Sequence, residues 1–367
     1  MRLLFCLPLF CVGLAAQGPG DADLMRLTRE LRGAVGTDSL AAAAAVADKL
    51  DEAVQRRYQN WLVRDADQRV NDVLTWLPPD IEGFWVNQEP FTIKPQESLQ
   101  LLYGRPIQAY SMDRLIALNG GTFQRALGNR TVRLVAAAAR NIRTEKDGVA
   151  IPGLAGSQDV AYFYFFAGAI DLPPVDETLQ GQSAWRATAK ILAGLGHQPG
   201  VEPEQKEDEN WLVLARPDLL VLSNRRELLV QILESMTGGA KARAMPATLP
   251  EWVHVDRTSS FWGLRHYSAQ SKPTREQRGY GAAELPSPDG AATGVTVRFD
   301  EAKQRLEIHY LSAGPLTQNS VYANDRQREF QVDQPEAGVW RLISDVQARG
   351  AYPVHFAMTM LGFGEYR

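Results

Sequence analysis

The residues best suited to chemistry lie in one stretch, FWGLRHYSAQSKPTREQRGYG, at positions 261–281. An apolar, strand-like start is followed by consecutive Arg, His and Tyr residues and then by a polar loop with further bases. From position 257 to 281 there are five basic residues and one acid, in a chain whose net charge is −4. Arginine side chains among aromatic rings suit a carboxylate, phosphate, sulfate or sugar-acid ligand, or an acidic protein partner. The residues of this predicted binding surface are Arg265, His266, Tyr267, Arg275 and Arg278. A core strand followed by an ordinary solvated loop is the alternative interpretation.

Signatures of familiar catalytic sites are missing from the sequence. It has no Gly-x-Ser-x-Gly elbow, no phosphate-binding Walker loop and no His-Glu-x-x-His pair. None of the five histidines pairs with another at metal-ligand spacing: His197, His254, His266, His309 and His355. We therefore expect no metal and no cofactor. A cell-envelope hydrolase whose site is assembled by folding from scattered residues around His266 stays open as an alternative.

The N-terminal residues have the layout of a secretory signal peptide. Arg2 precedes an apolar run to about Leu14, and small residues favour cleavage after Ala15 or Ala16. Both cysteines, Cys6 and Cys11, fall in this segment, so the mature chain contains no thiol for a disulfide, metal site or nucleophile. We expect a periplasmic or secreted bacterial protein.

Charge argues against nucleic-acid binding, and hydropathy argues against a transmembrane segment. Removal of Arg2 with the signal peptide leaves a net charge of about −5, and nucleic-acid binding usually requires a broad basic face. After the signal peptide, no apolar run approaches the length that spans a bilayer. We expect neither nucleic-acid binding nor a transmembrane segment.

A long helix and a strand-rich remainder define the predicted fold. Positions 37–77 lack Gly and Pro and carry an apolar stripe from Val46 to Leu77 at helical spacing. Strands are predicted at 81–88, 131–142, 159–170, 211–215, 219–222 and 261–267, followed by a hairpin at 293–312 and a strand at 338–346. Helices are predicted over 112–127, 183–196 and 225–236, with Asn224 capping the last, and a short apolar helix ends at Gly362. The fold class is therefore α+β: a long N-terminal helical segment packed on a mostly antiparallel sheet, with strand–strand–helix units at 131–196 and 211–236.

Domain boundaries follow from the signal peptide and from one linker-like stretch, KARAMPATLPEWVHV. We divide the chain into a signal peptide at 1–16, a helical segment plus α+β region at 17–240, and a strand-rich α+β region at 241–367. The two regions could equally form one compact domain.

Three pieces of the sequence, LTWLPPDIEGFWV, RPDLLVLSNRRELLVQIL and FWGLRHYS, resemble a type of secreted bacterial α+β protein that has no assigned activity. The resemblance covers most of the mature chain and implies the fold class and the compartment. It implies no catalytic or binding residue.

The sequence thus favours a non-catalytic extracytoplasmic protein with a binding or interaction role. Besides the hydrolase, a second alternative is a structural or assembly partner that uses the N-terminal helix as its interaction face.

Overall fold

The computed structural model describes residues 19–37, 39–93, 107–108, 111, 126–140, 145–146, 149–150, 159–173, 175, 177–189, 208–238, 242–267, 292–312, 330–350 and 352–363. Its longer helices are α1 (Pro19–Gly36), α2 (Leu40–Trp76), α3 (Arg226–Thr237), α4 (Val346–Arg349) and α5 (Tyr352–Leu361), with a 3-10 helix η1 (Pro250–His254). The strands are β1 (Gly83–Asn87), β2 (Phe91–Thr92), β3 (Thr131–Arg140), β4 (Glu145–Lys146), β5 (Val149–Ala150), β6 (Asp159–Phe166), β7 (Thr178–Leu179), β8 (Gln182–Ala189), β9 (Asp208–Arg216), β10 (Leu219–Ser223), β11 (Phe261–His266), β12 (Ala292–Asp300), β13 (Arg305–Ser312), β14 (Gln331–Glu336) and β15 (Val339–Asp345).

One large antiparallel sheet organises the described part of the chain. Its 13 strands include the path β14-β15-β13-β12-β11-β1-β3-β6-β10-β9-β8-β7, with β2 paired to β3. β1 pairs with β11, so strands before and after residue 240 belong to the same sheet. The predicted α+β class with a mostly antiparallel sheet is confirmed.

The C-terminal helix α5 covers one face of the sheet. Cross-strand partners share a face, and this face carries Trp85, Tyr162, Val297 and Ile308 in a continuous buried core with residues of α5. The fit is close at two glycines: a Cβ on Gly83 would overlap the Leu361 carbonyl oxygen, and one on Gly263 would come within 2.6 Å of Leu361 Cδ1. Small residues on β1 and β11 therefore let the helix backbone lie directly on the sheet. We call this surface of the sheet the α5 face.

The opposite face is covered by α3, by η1 and by the last turns of α2. Leu228, Leu229 and Ile232 of α3 are fully buried. Trp252 of η1 meets Trp262 of β11 at a ring-centroid distance of 6.0 Å. Buried apolar side chains line this face between β10 and β11, and we call it the η1 face.

Two local predictions are wrong. Residues 182–189 form strand β8, not the start of a helix, because alanines with helical propensity pair instead with β9, where Ala184 lies opposite Val213. The first strand–strand–helix unit is therefore absent where the chain is described, whereas β9-β10-α3 forms the second. Asn224 does not cap α3: its side-chain oxygen accepts a hydrogen bond from the Val160 amide at 2.8 Å, and the N-cap residue is Arg225.

The chain divides into two compact units, residues 1–68 and 69–367. Helix α2 runs through the division, and within the second unit Val70, Val73 and Leu74 are buried. The side chains at 54–64 lie outside the described residues, as does most of the predicted helix at 112–127. Packing of the N-terminal segment on the sheet therefore stays a prediction.

Candidate functional site

Strand β11 directs the side chains of Arg265 and Tyr267 to one face of the sheet and that of His266 to the other. Side chains alternate between the faces of a strand, and the contacts follow this rule: Arg265 bonds to α5, and His266 contacts η1. The sequence predicted one surface containing all three. The structure shows two clusters on opposite faces instead, and Arg275 and Arg278 lie outside the described residues.

We define the arginine cluster as Arg265, Tyr267 and Tyr310 on the α5 face. The Arg265 side chain is buried, with 6% of the residue exposed. Its Nη1 donates a hydrogen bond of 3.1 Å to the Met360 carbonyl oxygen, and its guanidinium carbon lies 4.8 Å from the centre of the Tyr267 ring. Its buried Nε and Nη2 have no hydrogen-bond partner in the described part of the chain. The guanidinium is thus held by a neutral carbonyl and a neutral ring.

The two tyrosines of this cluster bond to each other. Their hydroxyl oxygens are 3.2 Å apart across β11 and β13. Burial raises the pKa of Tyr310 well above its usual range, the neighbouring Tyr267 raises it further, and Arg265 opposes this increase. Tyr310 therefore stays neutral at ordinary pH, and no negative charge develops there to balance Arg265.

We define the histidine cluster as Glu251, His254, His266, Thr296 and His309 on the η1 face. Glu251 is completely buried, and its Oε1 lies 3.0 Å from Nδ1 of the half-buried His266. Its Oε2 is buried and has no hydrogen-bond partner within the described ranges. The carboxylate fits because residue 294 is glycine: a Cβ there would overlap both Glu251 Oε1 and the Arg265 carbonyl oxygen.

The other two histidines lie farther along the same cluster. Their ring centroids are 6.0 Å apart, and His309 Nδ1 is 3.5 Å from Thr296 Oγ1. Burial, followed by the positive charge of Arg298, lowers the pKa of His309 to about 4. His254 Nε2 lies 3.4 Å from Glu336 Oε1. His309 is therefore neutral at pH 7.

The chemistry that these clusters support differs. A buried carboxylate holding an imidazole through Nδ1 orients the ring for proton transfer. A buried guanidinium with two unbonded donors suits an anion. No group of three or more metal-ligating His, Cys, Asp or Glu side chains is formed by the described residues. Likewise, no helix within the described ranges is long and apolar enough to cross a membrane.

The sequence did not predict several residues of the two clusters as site residues. Glu251 lies in a linker-like stretch, and Tyr310 alternates within an ordinary strand pattern. Neither carries a local signal of its partner, since Glu251 and His266 meet only through packing of η1 on β11.

Comparisons with known proteins give no family. No family model matches the chain, and no curated protein matches it. A solved structure, crystal form I of TP0453, is similar at a TM-score of 0.35 and 9% sequence identity, over 76% of this chain and 94% of that chain. A similarity at this level supports no argument about function.

Proposed function

We propose that this is a non-catalytic extracytoplasmic protein that binds an anionic ligand at the arginine cluster. The observation that supports the proposal is the buried Arg265 guanidinium, which has two unbonded donor nitrogens and no carboxylate partner among the residues that the structure describes. The compartment follows from the signal-peptide pattern of residues 1–16.

A buried charge without a counter-ion destabilises a fold. The effective cost of burying an ion is several kcal/mol even after relaxation, and ordinary buried charges are paired. Arg140 of β3 is the ordinary case here: it is 8% exposed and bonds to Asp159, Asp80 and Gln231. Arg265 departs from this pattern, and a ligand that supplies the missing negative charge explains the departure.

The proposal is tested by thermal unfolding in the presence of small organic and inorganic anions. At least one anion should raise the Tm of the wild type and of Arg341→Met, while leaving Arg265→Met unchanged. Arg341 is a matched control because it is a strand arginine on the η1 face, bonded to Asp333. Identical anion responses of all three proteins would contradict binding at Arg265.

A second candidate function is supported by the Glu251–His266 pair. This pair has the arrangement of a general base, in which a buried carboxylate orients an imidazole. If the protein is a hydrolase, it should hydrolyse p-nitrophenyl acetate faster than buffer does at pH 7. Both His266→Ala and Glu251→Gln should reduce the rate at least tenfold. A rate equal to that of buffer, or one that both variants retain, excludes this function.

A further inference from the structure

We infer that the ligand of the arginine cluster is a monocarboxylate with an apolar body, an inference that rests on the proposed function. Three properties of the site carry it: the edge of the guanidinium that is left unbonded, the balance of charge and donors, and the apolar character of the surrounding core.

The unbonded edge of Arg265 matches a carboxylate in shape. Nη1 is occupied by the Met360 carbonyl oxygen, and the two donors without partners are Nε and Nη2. In a guanidinium group these two nitrogens direct parallel N–H bonds from one edge. Parallel N–H donors bind both oxygens of a carboxylate in the bidentate geometry that arginine favours. The contact with α5 therefore leaves open the Nε–Nη2 edge of Arg265, which is the edge that binds a carboxylate.

Charge and donor count distinguish a carboxylate from a phosphate. The cluster offers one positive charge, the two donors of the open edge and one hydroxyl hydrogen, because the other hydroxyl hydrogen of the Tyr267–Tyr310 pair is used between the rings. A singly charged group with two oxygens is satisfied by this set. A phosphate dianion would bring an uncompensated charge and a third oxygen into the core, which burial penalises.

The rest of the ligand must be apolar because the core around the cluster is apolar. Val295 lies directly opposite Arg265 on β12, and Met358 and Met360 of α5 belong to the same buried core. Methionine side chains adapt easily to a new shape. Since Arg265 is almost fully covered, the ligand reaches it only through local opening of the structure, and we expect slow association.

The test is isothermal titration of the full mature chain with four probes: octanoate, acetate, octyl phosphate and inorganic phosphate. Octanoate should bind the wild type at least tenfold more tightly than each of the other three. Arg265→Met should abolish octanoate binding, and Arg265→Lys should weaken it at least tenfold, because lysine keeps the charge but loses the two-pronged edge. Arg341→Met should bind octanoate like the wild type, and circular dichroism checks that every variant is folded.

The other outcomes separate the two proposals. If octyl phosphate or inorganic phosphate binds as tightly as octanoate in an Arg265-dependent way, the ligand class is wrong and anion binding stands. Equal affinities for acetate and octanoate would overturn the apolar body. If no anion binds in a way that depends on Arg265, both the ligand class and the proposed function fail.

Discussion

Replacing Arg265 with methionine should not destabilise the ligand-free protein, although the residue is buried in the core. Removing the arginine relieves the cost of burying an unpaired ion, which is several kcal/mol. It also loses the hydrogen bond to the Met360 carbonyl oxygen, worth about 1.5–3 kcal/mol for a charged donor, and the contact with the Tyr267 ring, worth about 1 kcal/mol. The gain from removing the buried ion therefore equals or exceeds the loss of the hydrogen bond and the ring contact. We expect the free energy of unfolding to stay unchanged or to rise by up to about 3 kcal/mol.

The assay is urea unfolding at pH 7, monitored by circular dichroism, with a thermal melt in parallel. A change of 1 kcal/mol corresponds to about 2 °C in Tm for a chain of this size. The matched control is Arg140→Met, which leaves the Asp80 and Asp159 carboxylates without this partner. This control should lose about 1–3 kcal/mol, because it removes charge-assisted hydrogen bonds from a buried arginine, while Asp159 keeps its contact with Arg225 and Asp80 is more than half exposed.

The two variants together decide whether Arg265 serves the fold or a ligand. A loss of more than about 2 kcal/mol in Arg265→Met would show that the arginine is structural, and it would refute the reasoning behind the proposed function. A stable Arg265→Met that has also lost anion binding is the expected result.

Three further perturbations test the packing and the histidine cluster. Gly83→Ala should destabilise the protein by about 1–3 kcal/mol in urea unfolding, because the new Cβ would overlap the Leu361 carbonyl oxygen. Gly294→Ala should displace the Glu251 carboxylate and change the NMR chemical shifts of the His266 imidazole that this carboxylate contacts. Because the pKa of His309 in the folded state is about 4, below its ordinary 6.5, stability should be greatest above about pH 6.5 and fall by up to about 3 kcal/mol as the pH drops to about 4. His309→Gln should remove that part of the pH dependence.

A specific result would contradict each of these three predictions. Gly33→Ala is the control for Gly83, because a Cβ at Gly33 would have no atom of the described residues within 4 Å. Equal stability of both alanine variants would contradict the close approach of α5. Unchanged chemical shifts of the His266 imidazole in Gly294→Ala would contradict the Glu251–His266 contact. Equal pH dependence in the wild type and His309→Gln would contradict the lowered pKa of that histidine.

Much of the strand content could be predicted because its signals are local. The hairpin of β12 and β13 alternates apolar and polar residues across a short polar turn, and the structure pairs these strands from Asp300↔Arg305 outward. Strand β8 could not be predicted in this way. Its alanines favour a helix in isolation, and the pairing with β9 that overrides this preference is a tertiary contact.

The two clusters likewise combine residues that the local sequence singles out with partners that only tertiary contacts bring to them. The sequence singled out Arg265, His266 and Tyr267 by type and charge and predicted one surface for them, whereas the structure alternates them between the two faces of β11. Their partners could not be predicted. Glu251 comes from a linker-like stretch 15 residues earlier, and Tyr310 from a strand 43 residues later.

By itself, the sequence determined that residues 261–266 form a strand, because the apolar pattern is a property of neighbouring residues, but it predicted a single surface for Arg265, His266 and Tyr267. Only the tertiary structure decided which side is covered by α5 and which by η1. That choice depends on contacts such as the one between Arg265 and Met360, 95 residues apart. Among the described residues, it leaves the arginine buried without a counter-charge and pairs the histidine with a carboxylate, because each side chain takes the partners that its face of the sheet provides.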